Sequence, residues 1–466
     1  MNRAKLKNKY IFYDILASLL VLLVFIICRK VINDIPVFYG LRVFLPTSYY
    51  LLSFVLYPFF CYIIHYLSGF YLHPENTGKT KIIISTLISA AITSVLVFFF
   101  LMLDDVVVSY RYYYNSLLLL IALQFTITLI FRLSIKFYAS QHFKSQRWSI
   151  KTIIIGSGDV AIKMADVLQK NNSRNSLVGF VTVDRHVLVP QKMVLGNINQ
   201  IENIITQHQI DEAIIALDQP DEQKLFSYIN SLFRFNIGIK FTPRLYEILT
   251  GSAQIGSLGT HPLVNITKLA MPDWQVCVKR FVDIVVSLVS LIFLAIPFAI
   301  IGIAIKSSSK GSVFYCQERI GYHAKPFKIV KFRSMYTDSE NGTPRLSNPD
   351  DERITPIGRL LRRYRIDELP QFFNILIGDM SLVGPRPERN YFIRQIIEQA
   401  PYYCLLYKIR PGLTSWGPIK IGYADTLEKM IERLNYDIIY IENMSLFNDL
   451  KILTFTIEII FKGKGM

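Results

Sequence analysis

The sequence predicts a membrane α plus α/β protein with three parts. They are a four-helix transmembrane module, a Rossmann-like α/β domain, and a mostly helical C-terminal domain entered through a re-entrant membrane helix hairpin. Three observations predict it: four apolar runs open the chain, a strand, glycine turn and helix pattern starts at Lys151, and a further apolar run from Ile284 to Ile305 contains a proline and is basic on both flanks. The boundaries follow as 1–145 for the spans, 146–250 for the α/β domain, 251–278 for a linker and 279–466 for the last domain. With 52% hydrophobic residues and a mean hydropathy of +0.33, the chain of 466 residues is too apolar to be wholly soluble. Its net charge of +16 calls for anionic partners, which are nucleic acid, lipid headgroups or phosphorylated small molecules. Charge alone does not choose among them. Cys28, Cys61, Cys277, Cys316 and Cys404 are scattered without the spacing of a disulfide framework or zinc site, and the histidines form no paired-ligand pattern.

The four opening runs are Ile11 to Cys28, Tyr49 to Leu72, Ile82 to Leu103 and Tyr114 to Phe131. Each is long enough, as helix, to cross a hydrocarbon core of about 30 Å. The first is not read as a cleaved signal, because it is long, carries Asp14 and lacks a small-residue cleavage site. Basic residues set the orientation. Arg3, Lys5, Lys7 and Lys9 precede the first span, Lys79 and Lys81 follow the second, and Arg132, Lys136, Lys144, Arg147 and Lys151 follow the fourth. The loop after the third span holds Asp104, Asp105 and only Arg111, so both ends of the module are expected in the cytoplasm, although Arg29, Lys30 and Arg42 run against the rule.

"KTIIIGSGDVA" then reads as a strand, a Gly156-x-Gly158-x-x-Ala161 turn and a helix start, followed by the strands "LVGFVTVD", "DEAIIALD" and "IGIKF". The glycines admit two readings. They let a backbone approach a nucleotide pyrophosphate at the helix N-terminus, with Asp184 as a loose match for the ribose acid, or they make a structural turn with no ligand.

"KRFVDIVVSLVSLIFLAIPFAIIGIAIK" has Lys279 and Arg280 before its apolar part and Lys306 and Lys310 after it, so both flanks read as cytoplasmic. Pro297 removes a backbone donor inside the run. A hairpin that enters the membrane and returns, with its break at Pro297, satisfies both facts.

The chemistry centres on "RRYRIDELPQ". Five arginines and no acid lie between Arg353 and Arg365, and Asp367 and Glu368 follow at once. Pro370 belongs in a first helical turn, which makes Asp367 a candidate N-cap. The same position suits a nucleophile, because a carboxylate at a helix N-terminus beside arginines is held ionised and its acyl phosphate would keep the same stabilising field. Glu368, about 100° further round a helix, splits roles with Asp367 rather than forming one chelate. Downstream, "GDMSLVGPRPE" fixes Arg386 between two prolines as a phosphate or carboxylate fork. Upstream, "FKIVKFRSM" places Lys331 and Arg333 on one face of a strand. Each basic residue alone reads as a solvated charge; with the acids they describe a site for an anionic phosphorylated substrate.

From Lys279 onward, "KRFVD", "VFYCQERIG", "PFKIVKFRSM", "DERITPIGRLLRR", "IDELPQFFNILIGDMSLVGPRPE", "KIRPGLTSW" and "YDIIYIENMSLFNDLKI" resemble, in order, the blocks of the bacterial sugar transferase family, the monotopic phosphoglycosyl transferases. The preceding spans and Rossmann-like domain resemble the large members, which are polyprenyl-phosphate hexose-1-phosphate transferases. The resemblance implies transfer of a sugar phosphate from a UDP-sugar, with UDP-glucose or UDP-galactose as the expected donors, to undecaprenyl phosphate. UMP is released, as the first membrane step of exopolysaccharide, capsule or O-antigen synthesis. It implies Mg2+ dependence and a phospho-Asp intermediate, with Asp367 as nucleophile, Glu368 as its acidic partner and both as metal ligands. It implies that Arg386 binds nucleotide and that Lys331, Arg362 and Arg410 line the site, to which the strand face adds Arg333. A homodimer in the bacterial inner membrane, with its catalytic domain facing the cytoplasm and no nucleic acid partner, is the further expectation. Two departures stand out: Ile296-Pro297 replaces the usual Ser-Pro break, and Lys310-Gly311-Ser312 replaces the usual Pro-Gly-Pro.

The strongest rival is a membrane-anchored nucleotide-sugar dehydratase. It requires a second dinucleotide fold with a Tyr-x-x-x-Lys pair, and neither occurs after residue 250. An ordinary glycosyltransferase commonly carries Asp-x-Asp, which is absent from the chain.

Overall fold

The computed structural model describes residues 3–32, 48–74, 77–102, 110–144, 148–170, 175–183, 187–218, 221–242, 254–255, 262–337, 351–422 and 424–462. Arg42, Asp104, Asp105, Arg147 and Asp184 lie outside the described residues. The chain forms two compact units, residues 1–149 with 273–278, and residues 150–272 with 279–466.

The first unit contains α1 (Arg3–Ile32), α2 (Ser48–Leu67), α3 (Lys79–Met102) and α4 (Tyr110–Lys144). Tyr10, Phe70, Ile82 and Ile135 pack in one cluster, and Val21, Phe25, Tyr57 and Leu120 in another. Phe12, Val55, Phe99 and Leu118 stay exposed. Helices apolar on every face need lipid outside as well as protein inside. Among the described residues, four helices are long and apolar enough to cross a membrane: Lys5–Cys28, Lys79–Phe99, Tyr114–Phe143 and Asp273–Ser308. The second predicted span is α2, an apolar helix of 20 residues, Ser48–Leu67, which ends just before Gly69 at φ +76°, where a Cβ would meet the Asp273 backbone at 2.6 Å.

A buried ion pair crosses this bundle. Arg132 Nη2 donates to Asp14 Oδ2 at 2.8 Å, Tyr71 Oη donates to the same carboxylate at 2.6 Å, and Arg132 Nη1 donates to Thr86 Oγ1 at 2.9 Å. The Arg132 guanidinium also lies over the Phe70 ring at 4.0 Å. Inside an apolar bundle such charges persist only when paired in this way.

In the second unit, β1 (Ile150–Ile155), α5 (Asp159–Lys170), β2 (Asn175–Thr182), β3 (Val194–Asn197), α6 (Ile201–His208), β4 (Glu212–Ile215), α7 (Glu222–Phe233) and β5 (Gly238–Phe241) follow one another, with β6 (Gln254–Ile255) and β7 (Pro262–Asn265) after them. The sheet order is β3-β2-β1-β4-β5-β7-β6, parallel through β5 and antiparallel beyond it. Buried Ile153, Ile154 and Ile155 in β1 and Ile214 and Ile215 in β4 make its centre. The glycine turn after β1 is filled from within the chain. Asp218 Oδ1 accepts the Val160 N–H at 2.9 Å, and a Cβ on Gly158 would fall 1.4 Å from Asp218 Oδ2. An internal carboxylate thus occupies the helix N-terminus where a pyrophosphate would bind, which favours the structural reading of Gly156 and Gly158.

Next comes α8 (Asp273–Ser308), which runs through Pro297 as one α-helix of 36 residues. The helical backbone continues through Pro297, where the ring removes one N–H from the ladder. The rest of the second unit is a hairpin of β8 (Phe314–Ile320) and β9 (Pro326–Phe332), then α9 (Pro356–Arg363), a 3-10 turn at Ile366–Glu368, α10 (Gln371–Ile377), β10 (Ser381–Val383), α11 (Asn390–Gln399), a 3-10 stretch Pro401–Lys408, β11 (Gly412–Thr414), α12 (Trp416–Ile421), α13 (Leu427–Glu442) and α14 (Leu446–Phe461).

Both ends of α8 beyond residue 278 pack on this part of the unit. Lys279 Nζ donates to the Val383 carbonyl at 2.9 Å and to Asp449 at 2.7 Å, Arg280 donates to the carbonyls of Ile375 and Leu376, and Asp283 accepts the Leu382 N–H. Further along, Phe298, Ile301 and Ile305 join Val313, Phe332 and Leu361 in one core. The side chains between are mostly exposed and apolar, Phe293 at 78%.

Candidate active site

Three local features bring the acids together. Thr355 caps α9 by accepting the Gly358 N–H, with Pro356 in the first turn, so α9 delivers Arg362 at its last turn. Arg365 then takes a left-handed conformation, φ +54°, that swings the chain into the 3-10 turn carrying Asp367 and Glu368. A non-glycine residue held there costs about 1–3 kcal/mol, which the surrounding contacts must offset. Finally, Asn374 on α10 donates to the Lys328 carbonyl and accepts the Val330 N–H, pinning α10 against β9 and bringing Lys331 to the turn.

The two carboxylates have unequal surroundings. Glu368 is 7% exposed; its Oε1 accepts Lys331 Nζ and Arg386 Nη2, both at 2.8 Å, and its Oε2 lies 3.8 Å from Arg365. Burial opposes ionisation, yet Arg386, Lys331 and Arg365 together hold this carboxyl well below its ordinary range. Asp367 is 8% exposed, and among the described residues no hydrogen bond or ion pair holds its carboxylate. Burial first and the neighbouring Glu368 second push it above its ordinary value, against the pull of Lys331, Arg362 and Arg386. The N-cap expectation is corrected accordingly: α10 starts after Pro370 with no side-chain cap, and Asp367 lies in the preceding turn.

The predicted basic residues divide. Lys331 and Arg386 grip Glu368, while Arg362 anchors its Nε on Ser334 Oγ at 2.8 Å within the field of Asp367. Arg333 is directed elsewhere: its Nη1 and Nη2 donate to the Lys310 and Ser309 carbonyls, closing the C-terminal end of α8. Arg410 donates from Nε to the Gly378 carbonyl at 2.8 Å and lies over the Tyr322 ring at 5.6 Å. Both contacts are made to carbonyls at helix ends, which attract guanidinium groups.

Sequence reasoning missed the groups that hold Arg386 in place. Glu388 pairs with Arg433 and, at 3.4 Å, with Arg319, whose Nη1 also reaches the Pro387 carbonyl. Asp437 accepts the Gly417 N–H at 3.4 Å and is pushed up to about 6 by burial, with Arg433 opposing. The glutamate that ends "GPRPE" was the available signal, but its partners come from distant segments.

Asp367 and Glu368 supply two adjacent carboxylates, and among the described residues no third acid, histidine or cysteine joins them. Such a pair fits Mg2+, which binds through one or two carboxylates and completes its shell with phosphate oxygens and water. The open carboxylate of Asp367 and the distant Oε2 contact of Glu368 leave oxygen lone pairs for it.

Two family profiles match the chain, one described as bacterial sugar transferase over residues 274–463 and one as CoA-binding domain over residues 67–243. Among curated proteins, a UDP-glucose:undecaprenyl-phosphate glucose-1-phosphate transferase of Klebsiella pneumoniae is 33% identical over 58% of this chain and 58% of its own length. A UDP-N-acetylgalactosamine-undecaprenyl-phosphate N-acetylgalactosaminephosphotransferase of Aeromonas hydrophila is 35% identical over 49% of this chain and 54% of its own. A UDP-glucose:undecaprenyl-phosphate glucose-1-phosphate transferase of Caulobacter vibrioides is 38% identical over 38% of this chain and 68% of its own. The chain therefore spans little more than half the length of the first two of these relatives.

Proposed function

The chain belongs to the bacterial sugar transferase family, and from that premise we propose that it transfers a hexose 1-phosphate from a UDP-sugar to undecaprenyl phosphate, releasing UMP. Relatives named for UDP-glucose, UDP-galactose and UDP-N-acetylgalactosamine support the donor class and leave the sugar to be measured.

The observation that carries the reading is the unequal acid pair. Glu368 has one oxygen bonded by two cations, whereas Asp367, one residue away, is buried in the same basic field with no hydrogen bond or ion pair among the described residues. A carboxylate so placed is free to attack. An Asp367 oxygen bonds the β-phosphorus of the UDP-sugar, the bond from that phosphorus to the bridging oxygen breaks, and UMP departs with that oxygen. A phosphate oxygen of the lipid acceptor then bonds the same phosphorus, the Asp367–phosphorus bond breaks, and the carboxylate is regenerated. Lys331, Arg362 and Arg386 offset the repulsion between anionic nucleophile and anionic phosphate. Mg2+ held by Asp367 and Glu368 would neutralise the diphosphate charge.

The acceptor is placed by α8. Both ends of this stretch pack on one globular part, through Lys279, Arg280 and Asp283 and again through Phe298 and Ile305, which supports the reading that the exposed apolar residues between them enter lipid and return on the same side, the helix bending at Pro297. An apolar cavity of about 750 Å3 beside it, walled by Phe298, Gly302, Ile303, Val313 and Phe314 with Lys306, suits a polyprenyl chain and its phosphate. The catalytic part then faces the cytoplasm of a bacterial inner membrane protein that works as a homodimer.

Purified protein supplied with a panel of UDP-sugars and undecaprenyl phosphate tests the reading through UMP release. Exposure to UDP-sugar without acceptor should add one sugar phosphate to the peptide containing Asp367; turnover without that adduct, even on rapid quench, excludes the covalent route.

A further inference from the structure

A second basic cavity, of about 450 Å3, lies within the second unit between α7 and the turn joining β8 to β9. Arg234 and Asn230 come from the α7 side, His323 and Lys325 from the turn, and Arg394 from α11. No aspartate or glutamate lines it, and among the described residues Arg234, Lys325 and Arg394 make no ion pair. Ile393, Ile397 and Tyr407 give it an apolar wall. Three cations line one cavity that no carboxylate enters, which gives it a surface suited to an anion.

The turn itself points the same way. His323 and Ala324 are consecutive non-glycine residues in the left-handed region, φ +56° and +53°. That conformation is costly for side chains with a Cβ and gathers at ligand sites. Among the described residues, His323 Nδ1 is buried with no hydrogen-bond partner. In the tautomer that carries its proton on Nδ1, that nitrogen would donate to a phosphate oxygen.

We propose that this cavity binds a phosphorylated small molecule of nucleotide size, with its phosphates on Arg234, Lys325, Arg394 and His323 and its ring against Ile393, Ile397 and Tyr407. The volume falls in the range of about 300–1,000 Å3 usual for small-molecule sites. The position also gives it a route to the acids. The Ile320 N–H donates to the Glu388 carbonyl at 3.1 Å, and Tyr322 lies under Arg410, so a ligand that orders the turn acts on the segment that carries Arg386. The α/β domain acquires a purpose in this arrangement: it closes a regulatory pocket rather than holding a ligand in its glycine turn.

Calorimetric titration of the full chain in lipid nanodiscs tests this with two probes, UDP and inorganic pyrophosphate. Arg386→Ala serves as the background, since it weakens anion binding at the acid pair. In that background UDP should still bind, and combining it with Arg234→Glu and Arg394→Glu should weaken binding at least tenfold, while Arg394→Lys largely preserves it. Both arginines are exposed, and an unchanged unfolding temperature confirms that their reversal leaves the fold intact. Tighter binding of UDP than of pyrophosphate supports the apolar wall as a ring site, and equal binding assigns recognition to the phosphates alone. UDP binding that disappears entirely with Arg386→Ala, or that survives the double charge reversal unchanged, overturns the proposal.

Discussion

Glu368→Gln and Asp367→Asn remove the same charge from adjacent buried positions, and the structure assigns them opposite consequences for stability. Gln at 368 keeps one acceptor oxygen but leaves Lys331, Arg386 and Arg365 facing one another without an anion. Breaking a buried pair in this way costs about 3–5 kcal/mol. For a domain of 150–250 residues each kcal/mol moves Tm by about 2–4 °C, so unfolding should come about 6–20 °C earlier. Asn at 367 loses no partner and relieves repulsion from Glu368, so Tm should stay within about 4 °C or rise. The linkage agrees in sign. Glu368 is held below its ordinary value, so its contribution is present above the unfolded value and lost as pH falls through the folded one. Asp367 is held above its ordinary value, so its contribution is present below the unfolded value and lost as pH rises through the folded one; at neutral pH its charge is a burden. Thermal unfolding by intrinsic fluorescence in nanodiscs, with UMP release on the same samples, reads both quantities. Asp367→Asn should be stable and inactive by several orders of magnitude. Equal destabilisation by the two variants, or transfer close to normal by Asp367→Asn, refutes the reasoning.

Three further outcomes follow from other groups. Asp437, pushed up to about 6 chiefly by burial, contributes stability that is present below its unfolded value of about 3.9 and lost as pH rises through about 6; Asp437→Asn should flatten that part of a Tm-against-pH curve and raise Tm at pH 8. Arg132→Ala and Asp14→Ala should each cost about 3–5 kcal/mol, whereas removing both partners together should cost less than the sum, as a double-mutant cycle on unfolding would register. In a background without native cysteines, a cysteine replacing Ser309 should react with a membrane-impermeant maleimide only after the cells are opened, and labelling in intact cells would put the C-terminal end of α8 outside.

The spans and the parallel sheet were legible because each repeats one simple pattern. A run such as "LLVFII" in α1 or "TIIIG" in β1 needs no knowledge of its neighbours to be recognised as apolar helix or buried strand. What failed was anything fixed by a distant contact. The glycine turn holds Asp218, some sixty positions away in sequence, and nothing in the local residues shows it.

At the acid pair the sequence offered the residue types and withheld their division of labour. Asp367 and Glu368 are adjacent, and nothing local says that Glu368 collects Lys331, 37 positions earlier, and Arg386, 18 positions later. Nor does anything local say that Arg333 reaches the carbonyls of Ser309 and Lys310, or that Arg410 Nε reaches that of Gly378. Those contacts still bear on the chemistry by another path. Arg333 ties the end of α8 to the strand carrying Lys331, and Arg280 ties its beginning to the helix that follows the acid turn. Both ends of the exposed apolar stretch are thus tied to elements that flank Asp367, the strand carrying Lys331 and the helix after the acid turn.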